Sequence, residues 1–295
     1  MDATKTYDRS KEDISNIIWM EHINTTVPDQ IIATLFYITG LGLTRDPYIM
    51  TGLENIWVNI GKSQIHMPTR EPQILRGHTA IVQPNRQALL KRLLQVSQKL
   101  EHTKFKYSEK DDHVEVTCPW GNVIKVFEPN RERFGNINIG IPYVEFNVPL
   151  GTAYGITKFY KQVLKANSNT HNNNTGSFAQ VLVGHNQNLI FRETSEPLPE
   201  YDGHHIQIYV SNFSAPHSWL LNRGLITQES DQYQYRFKDI IDPDSSQYLY
   251  TIEHEVRSIT HPLFNRPLVN RNPEQSNRNY TPGYDPQNLY MPFPN

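Results

Sequence analysis

The 295-residue chain contains a single cysteine, Cys118. That excludes an intrachain disulfide and any cluster of thiolate ligands within one chain. Cys118 precedes Pro119 and has no base beside it, so it reads as a buried structural thiol and not as a nucleophile. No apolar run approaches the ~20 residues that a membrane helix needs. Residues 1–8 lack the apolar core of a signal peptide, so secretion is not indicated and the cytoplasm is the expected compartment. The formal charge of −2 offers no electrostatic attraction for nucleic acid or an anionic membrane, and neither is expected as a partner. The sequence also has no Gly-rich phosphate loop, nucleophile elbow or zinc-finger spacing. What remains is a globular composition, 37% hydrophobic and 20% charged, at a length that suggests about two domains.

Internal repetition organises the chain. Alternation over residues 17–27 puts His22, Asn24 and Thr26 on one face of a strand and Ile23 and Val27 on the other. Pro28 ends the ladder, and Asp29 suits the N-cap of an apolar helix over 30–37. The order of histidine, extended segment, proline and helix start returns at 77–85, opening on Gly77 and His78. It returns at 142–149 with Tyr143 in the histidine's place, ahead of a helix over 156–164. A fourth version, with His204 and His205, runs over 203–210 and leads into Trp219, Leu220 and Leu221. The spacing leaves room in each module for one helix and three short strands.

Strands at 56–60 and 63–68, joined by Gly61 and Lys62, close the first module and put His66 on its last strand. A helix over 87–100, with Leu89, Leu90, Leu93, Leu94 and Val96 at helical spacing, and strands at 113–118 and 123–127 complete the second. The third module carries an asparagine-rich run at 167–175, read as a surface loop, then strands at 178–183 and 189–192. The fourth ends in a strand over 248–256. The expected organisation is a polar segment 1–16, a first domain of two modules over 17–130, a linker at 130–140, a second domain of two modules over 141–256 and a Pro/Asn-rich tail over 257–295. Such a tail builds no core, but Leu263, Phe264, Leu268 and Tyr290 could pin it across one. Trp57, Trp120 and Tyr48 are expected to fill core or cleft walls.

With Glu21-His22-Ile23 and Gly77-His78-Thr79 opening two of the modules, the chain resembles the vicinal oxygen chelate superfamily over residues 17–256. That superfamily includes glyoxalase I, extradiol dioxygenases and the bleomycin- and fosfomycin-resistance proteins. Pro119-Trp120-Gly121-Asn122-Val123-Ile124-Lys125-Val126 is similar to its closing-strand signature, as is Asp242-Pro243-Asp244 ahead of Ile252-Glu253. The resemblance implies an α+β fold of four βαβββ modules paired into two cupped-sheet, glyoxalase-like domains.

It also implies metal ligands on the first and last strands of each module. The first pair of modules would present His22, His66, His78 and Lys125, the lysine standing where the family usually has glutamate and opposing a metal. Alternatively these histidines are isolated hydrogen-bonding residues in a polar cleft. The second pair would present Tyr143, Phe191, His205 and Glu253, with Glu145 and Glu255 on the faces of Tyr143 and Glu253. Phe191 cannot ligate. Glu145, His205 and Glu253, with Tyr143, would form a ferrous-iron or general acid-base site, or else an ion-pair network with Arg192 or Arg257. The implied function is a metalloenzyme using a divalent ion, ferrous iron or zinc, on a small oxygen-rich substrate by dioxygenase, lyase or isomerase chemistry. The alternative is a metal-free small-molecule binding protein of the bleomycin-resistance type. Self-association is left open by the sequence.

Overall fold

A computed structural model describes residues 7–47, 49 and 54–269. Tyr48 and Tyr290 lie outside these residues. Four modules follow one another in the same order. The first is β1 (Ile17–Asn24), α1 (Gln30–Ala33), β2 (Thr44–Arg45), β3 (Asn55–Ile60) and β4 (Ser63–Pro68). The second is β5 (Gly77–Val82), α2 (Arg86–Ser97), β6 (Lys106–Glu109), β7 (His113–Thr117) and β8 (Val123–Phe127). A short helix α3 (Arg131–Phe134) occupies the linker, and the third module is β9 (Gly140–Pro149), α4 (Ala153–Gln162), β10 (Ser168–Asn173), β11 (Gly176–Gly184) and β12 (Gln187–Thr194). The fourth is β13 (His205–Val210), α5 (Ser214–Leu221), β14 (Ile226–Asp231), β15 (Gln234–Ile241) and β16 (Tyr248–Ser258).

Local chemistry starts the helices. Asp29 accepts from the amides of Ile31 and Ile32 at the entrance to α1, and Asn85 caps α2 by accepting from Ala88. Each satisfies amides that a helix terminus leaves without partners. After Ala33 the first helix widens into a π-helical stretch, Thr34–Gly40. Gly40 meets α2 there, where an added Cβ would lie 3.2 Å from Val96. In every module the opening strand runs parallel to the closing one, β1 with β4, β5 with β8, β9 with β12 and β13 with β16. The intervening helix supplies the crossover that a parallel pair requires.

Modules pair into two eight-stranded sheets, and the partners are not sequence neighbours. The first sheet has the order β14-β15-β16-β13-β1-β4-β3-β2, and the second β10-β11-β12-β9-β5-β8-β7-β6. The first and last modules therefore share one cup, and the two middle modules share the other. This corrects the expected grouping of His22 with His78 and of Tyr143 with His205. Every opening strand offers the same free edge to a partner, so alternation alone does not choose among them. Cross-seam contacts do. Trp19 stacks on Tyr209 at 5.4 Å and Glu21 pairs with Arg257 at 3.1 Å across the β1–β13 seam. In the β5–β9 seam Gly77 lies so close to β9 that a Cβ would stand 1.9 Å from the carbonyl oxygen of Glu145.

Consecutive modules meet instead through their helical layers. The π-helical stretch of the first module packs on α2 of the second, and α4 of the third packs on β15 of the fourth. One apolar core, containing Phe36, Leu93, Phe159 and Phe237, runs through both halves. The polar run read as a surface loop is edge strand β10, bonded to β11 from Ser168 to Asn173. An edge strand needs only backbone groups for its ladder, and its exposed asparagines leave the outer edge polar. The tail's Phe264 stands edge-on to Tyr209 at 4.9 Å and Leu268 is buried. Among the described residues no helix is long and apolar enough to cross a membrane.

Candidate metal centre

The ladder registers put three rows of side chains across the first sheet. Trp57, His66, Asn24, His205 and Glu253 stand in one row, and Asn59, Gln64, His22, Gln207, Glu255 and Arg236 in the next. Trp19, Tyr209, Arg257 and Gln234 form the third. Intervening residues Ile23, Ile65, Ile206, Ile208 and Ile252 belong to the apolar core. Strand alternation thus separates a polar cup from a helix-covered face. The β1 ladder shifts register between Met20 and His22, and this bulge brings two consecutive side chains, Glu21 and His22, within 3.4 Å of each other in the cup.

His22, His205 and Glu255 are all buried, and one ligand atom from each lies within 4.8 Å of the others. Glu21 accepts from Nδ1 of His22 at 3.4 Å, and Oε1 of Glu253 lies 3.6 Å from Nδ1 of His205. A proton held on Nδ1 leaves the Nε2 lone pair free, the arrangement that carboxylates give metal-bound histidines. Nε2 of both rings is buried and has no hydrogen-bond partner, and that of His205 lies 3.6 Å from Oε2 of Glu255. Burial holds His22 neutral, its pKa well below the imidazole range. Two imidazole nitrogens and one carboxylate are a donor set that suits ferrous iron or zinc. On these observations the residues fit a divalent ion.

Two arginines hold the carboxylate. Arg257 reaches Oε1 of Glu255 at 2.6 Å, and Arg236 bridges Glu255 and Glu253, the latter at 2.5 Å. Burial pushes the Glu255 carboxyl up, but His205, His22, Arg257 and Arg236 together outweigh it and hold it well below the usual range. Glu21 goes the other way. Burial raises it to about 7 against the pull of Arg257 and Arg266, and its Oε1 has no partner. His66 lies 6.0 Å from His22 ring to ring and stacks on Trp57 at 3.8 Å. Asn24 donates its amide to Nδ1 of His66 at 2.6 Å, which leaves the proton of that neutral ring on Nε2. His66 therefore accepts through Nδ1 and carries its proton on a partnerless Nε2, so it offers no free lone pair as a third imidazole ligand.

The second cup is of different character. His78 faces Tyr143 at 3.4 Å and Glu145 at 4.0 Å, but Glu145 is gripped by Arg192 through bonds of 3.0 and 3.2 Å. Burial, with Lys125 and Arg192 nearby, lowers the His78 pKa to about 3. Burial raises Tyr143 to about 12. This is the ion-pair arrangement with Arg192 that the sequence left open.

No protein-family model matches the chain and no curated protein matches it. Solved structures do. Glyoxalase I from Zea mays covers 85% of this chain with 95% of its own, at a TM-score of 0.53 and 12% identity. A variant of the same maize enzyme covers 81% with 92% of its own, at 0.54 and 14%. A Bacillus subtilis protein assigned as a dioxygenase covers 82% with 86% of its own, at 0.52 and 14%. The chain has the vicinal oxygen chelate fold.

Within the vicinal oxygen chelate fold of this chain, the residues singled out by sequence regroup. His22 and His66 come from the expected first site, and His205, Glu253 and Glu255 from the expected second. His78 and Lys125 lie in the other sheet, so His22, His66 and His78 do not converge, and the ammonium set against a metal stands away from His22. Glu145 and Tyr143 also lie in the other sheet and do not join His205 and Glu253. Phe191 is a core residue stacked on Phe146. Sequence reasoning missed the roles of Glu21 and Arg236. Strict alternation puts Glu21 outside the cup, and only the bulge brings it in. Arg236 comes from a strand that the pattern did not delimit.

Proposed function

We propose that this chain is a metalloenzyme of the vicinal oxygen chelate type, holding a divalent ion on His22, His205 and Glu255 and acting on a small oxygen-rich substrate. The observation that carries the reading is the pair of buried, partnerless Nε2 atoms beside a buried carboxylate. The names of the maize and Bacillus structures, a glyoxalase and a dioxygenase, support an enzyme over a binding module. A bound ferrous or zinc ion would supply Lewis-acid polarisation of two adjacent substrate oxygens or activation of dioxygen.

The rest of the work falls to the chain. Glu21 keeps the proton of His22 on Nδ1, so that this ring presents an unprotonated Nε2, and Glu253 and Glu255, each 3.6 Å from one nitrogen of His205, orient the second ring. Arg236 and Arg257 fix Glu255 and balance the surrounding carboxylates. Glu21, with a pKa of about 7 and an open Oε1, is the group able to accept or return a substrate proton near neutral pH. The stacked rings of Trp57 and His66 wall off one side from water.

One observation favours a second reading. Both oxygens of Glu255 are already ion-paired, as they would be in a metal-free binding cup. Anaerobic titration with ferrous iron, and aerobic titration with zinc, of the wild type and of the His22→Ala and His205→Ala variants decides between them. One equivalent bound by the wild type and lost in both variants supports the enzyme. No stoichiometric binding leaves the binding protein.

A further inference from the structure

A cavity of about 320 Å³ opens where the first sheet, the second sheet and the C-terminal strap, the tail segment 264–268, meet. Trp19 of β1, Ile137 ahead of β9 and Phe264 of the strap give it apolar walls. Its charged and titratable lining is Lys62, His185 and Arg266, and no carboxylate lines it. Such a volume is in the range of small-ligand sites, which combine apolar walls with a few placed polar groups.

The polar groups without partners point the same way. Arg266 commits Nη2 to Asp46 at 2.8 Å and to Gln64 at 3.0 Å, but its Nε and Nη1 are buried with no acceptor. Nε1 of Trp19 is likewise buried without an acceptor. Every buried partnerless side-chain polar atom on the described lining is thus a donor. A buried donor left unpaired is costly, and a ligand that brings acceptors satisfies it. Three basic side chains, no acid and aromatic walls together select an anion carrying a flat apolar body.

We propose that this cavity binds a small organic anion, a carboxylate or phosphate on an aromatic or aliphatic body, with the C-terminal strap supplying both a wall in Phe264 and a cation in Arg266. The site lies outside the three-residue metal cluster and stands whether or not an ion binds there. Through Gln64, which shares a row with His22, Arg266 joins it to the cup.

The test is binding by the 295-residue chain of benzoate, phenyl phosphate and indole-3-acetate, with benzylamine and benzyl alcohol as cationic and neutral controls, followed by ligand-observed NMR and calorimetry. Saturable binding of at least one anion and neither control is expected. Lys62→Glu changes an exposed turn residue and should weaken that anion about tenfold at low salt. Asn136→Trp, also at an exposed position, should block the mouth. The two variants keep the test independent of the buried Arg266. Binding of no anion, equal binding of benzylamine, or anion binding unchanged in both variants would overturn the proposal.

Discussion

His22 and His205 face each other ring to ring at 6.1 Å across the seam that joins the first module to the last. Neither module holds the candidate centre alone, because β1 brings one imidazole and β13 and β16 bring the other and the carboxylate. Cobalt(II) spectroscopy exploits this. Cobalt added to the wild type should give ligand-field absorption that His22→Ala and His205→Ala each abolish and that His78→Ala, in the other cup, leaves intact. Glu21→Gln should retain the spectrum but weaken cobalt affinity about 10- to 100-fold, because it disturbs only the proton on His22 Nδ1.

Glu255→Gln removes the carboxylate that holds Arg236 and Arg257 together. Breaking a buried pair by deleting one partner typically costs about 3 to 5 kcal/mol, because it leaves the other charge uncompensated. Glu253 is more open, with its side chain 24% exposed, so Glu253→Gln should cost about 1 kcal/mol or less. Urea unfolding without metal measures both. Equal losses would show that Arg257 does not depend on Glu255.

The modules, their order and the strand-to-helix turns were legible because they rest on local chemistry: alternation, a proline stop, an Asp or Asn cap. His22, His66, His205 and Glu253 were legible as residues for the same reason. Their grouping was not, because β1 could as readily have met β5 as β13, and the choice is written in contacts more than a hundred residues apart, such as Glu21 with Arg257. Glu21 itself was hidden by a bulge that breaks the period of two on which its placement relied. The asparagines of β10 hid a strand, since an edge ladder is built by backbone groups to which composition is nearly blind.

Gly77→Ala tests the other seam. The backbone at Gly77 has φ +152, and an added Cβ would stand 1.9 Å from a backbone oxygen that no side-chain rotation can move. β5 and β9 would have to separate, losing ladder bonds at the centre of the second sheet. The expected cost is about 3 kcal/mol or more, against about 1 to 2 for Gly151→Ala, which meets nothing within 4 Å and is strained only by its left-handed backbone at φ +80. Paired urea titrations check the difference.

The pH dependence of stability follows from the buried imidazoles. Burial lowers the pKa of His66 to about 2 and of His78 and His254 to about 3, and lowers His22 well below its ordinary value. These rings stay neutral in the folded chain while their unfolded counterparts take up protons near pH 6.5. The unfolded state then binds more protons, so stability is complete above pH 6.5 and falls as pH drops toward the folded values. Glu21 opposes them. Its folded pKa of about 7 lies above the unfolded carboxylate value, so between those values the folded state holds the extra proton and this one group favours folding as pH falls. These four imidazoles against one carboxyl leave about three net protons, a slope of roughly 4 kcal/mol per pH unit at about pH 5 to 6, to which His204 and His261, lowered by burial as well, add in the same direction. Urea midpoints at pH 7.5, 6.5 and 5.5 should therefore fall at an increasing rate, and His254→Phe, deep in the apolar core and away from both cups, should flatten the curve by about one proton. A midpoint constant from pH 7.5 to 5.5 would mean that these rings are protonated in the folded chain, and with that His22 would lose the free Nε2 on which the metal reading depends.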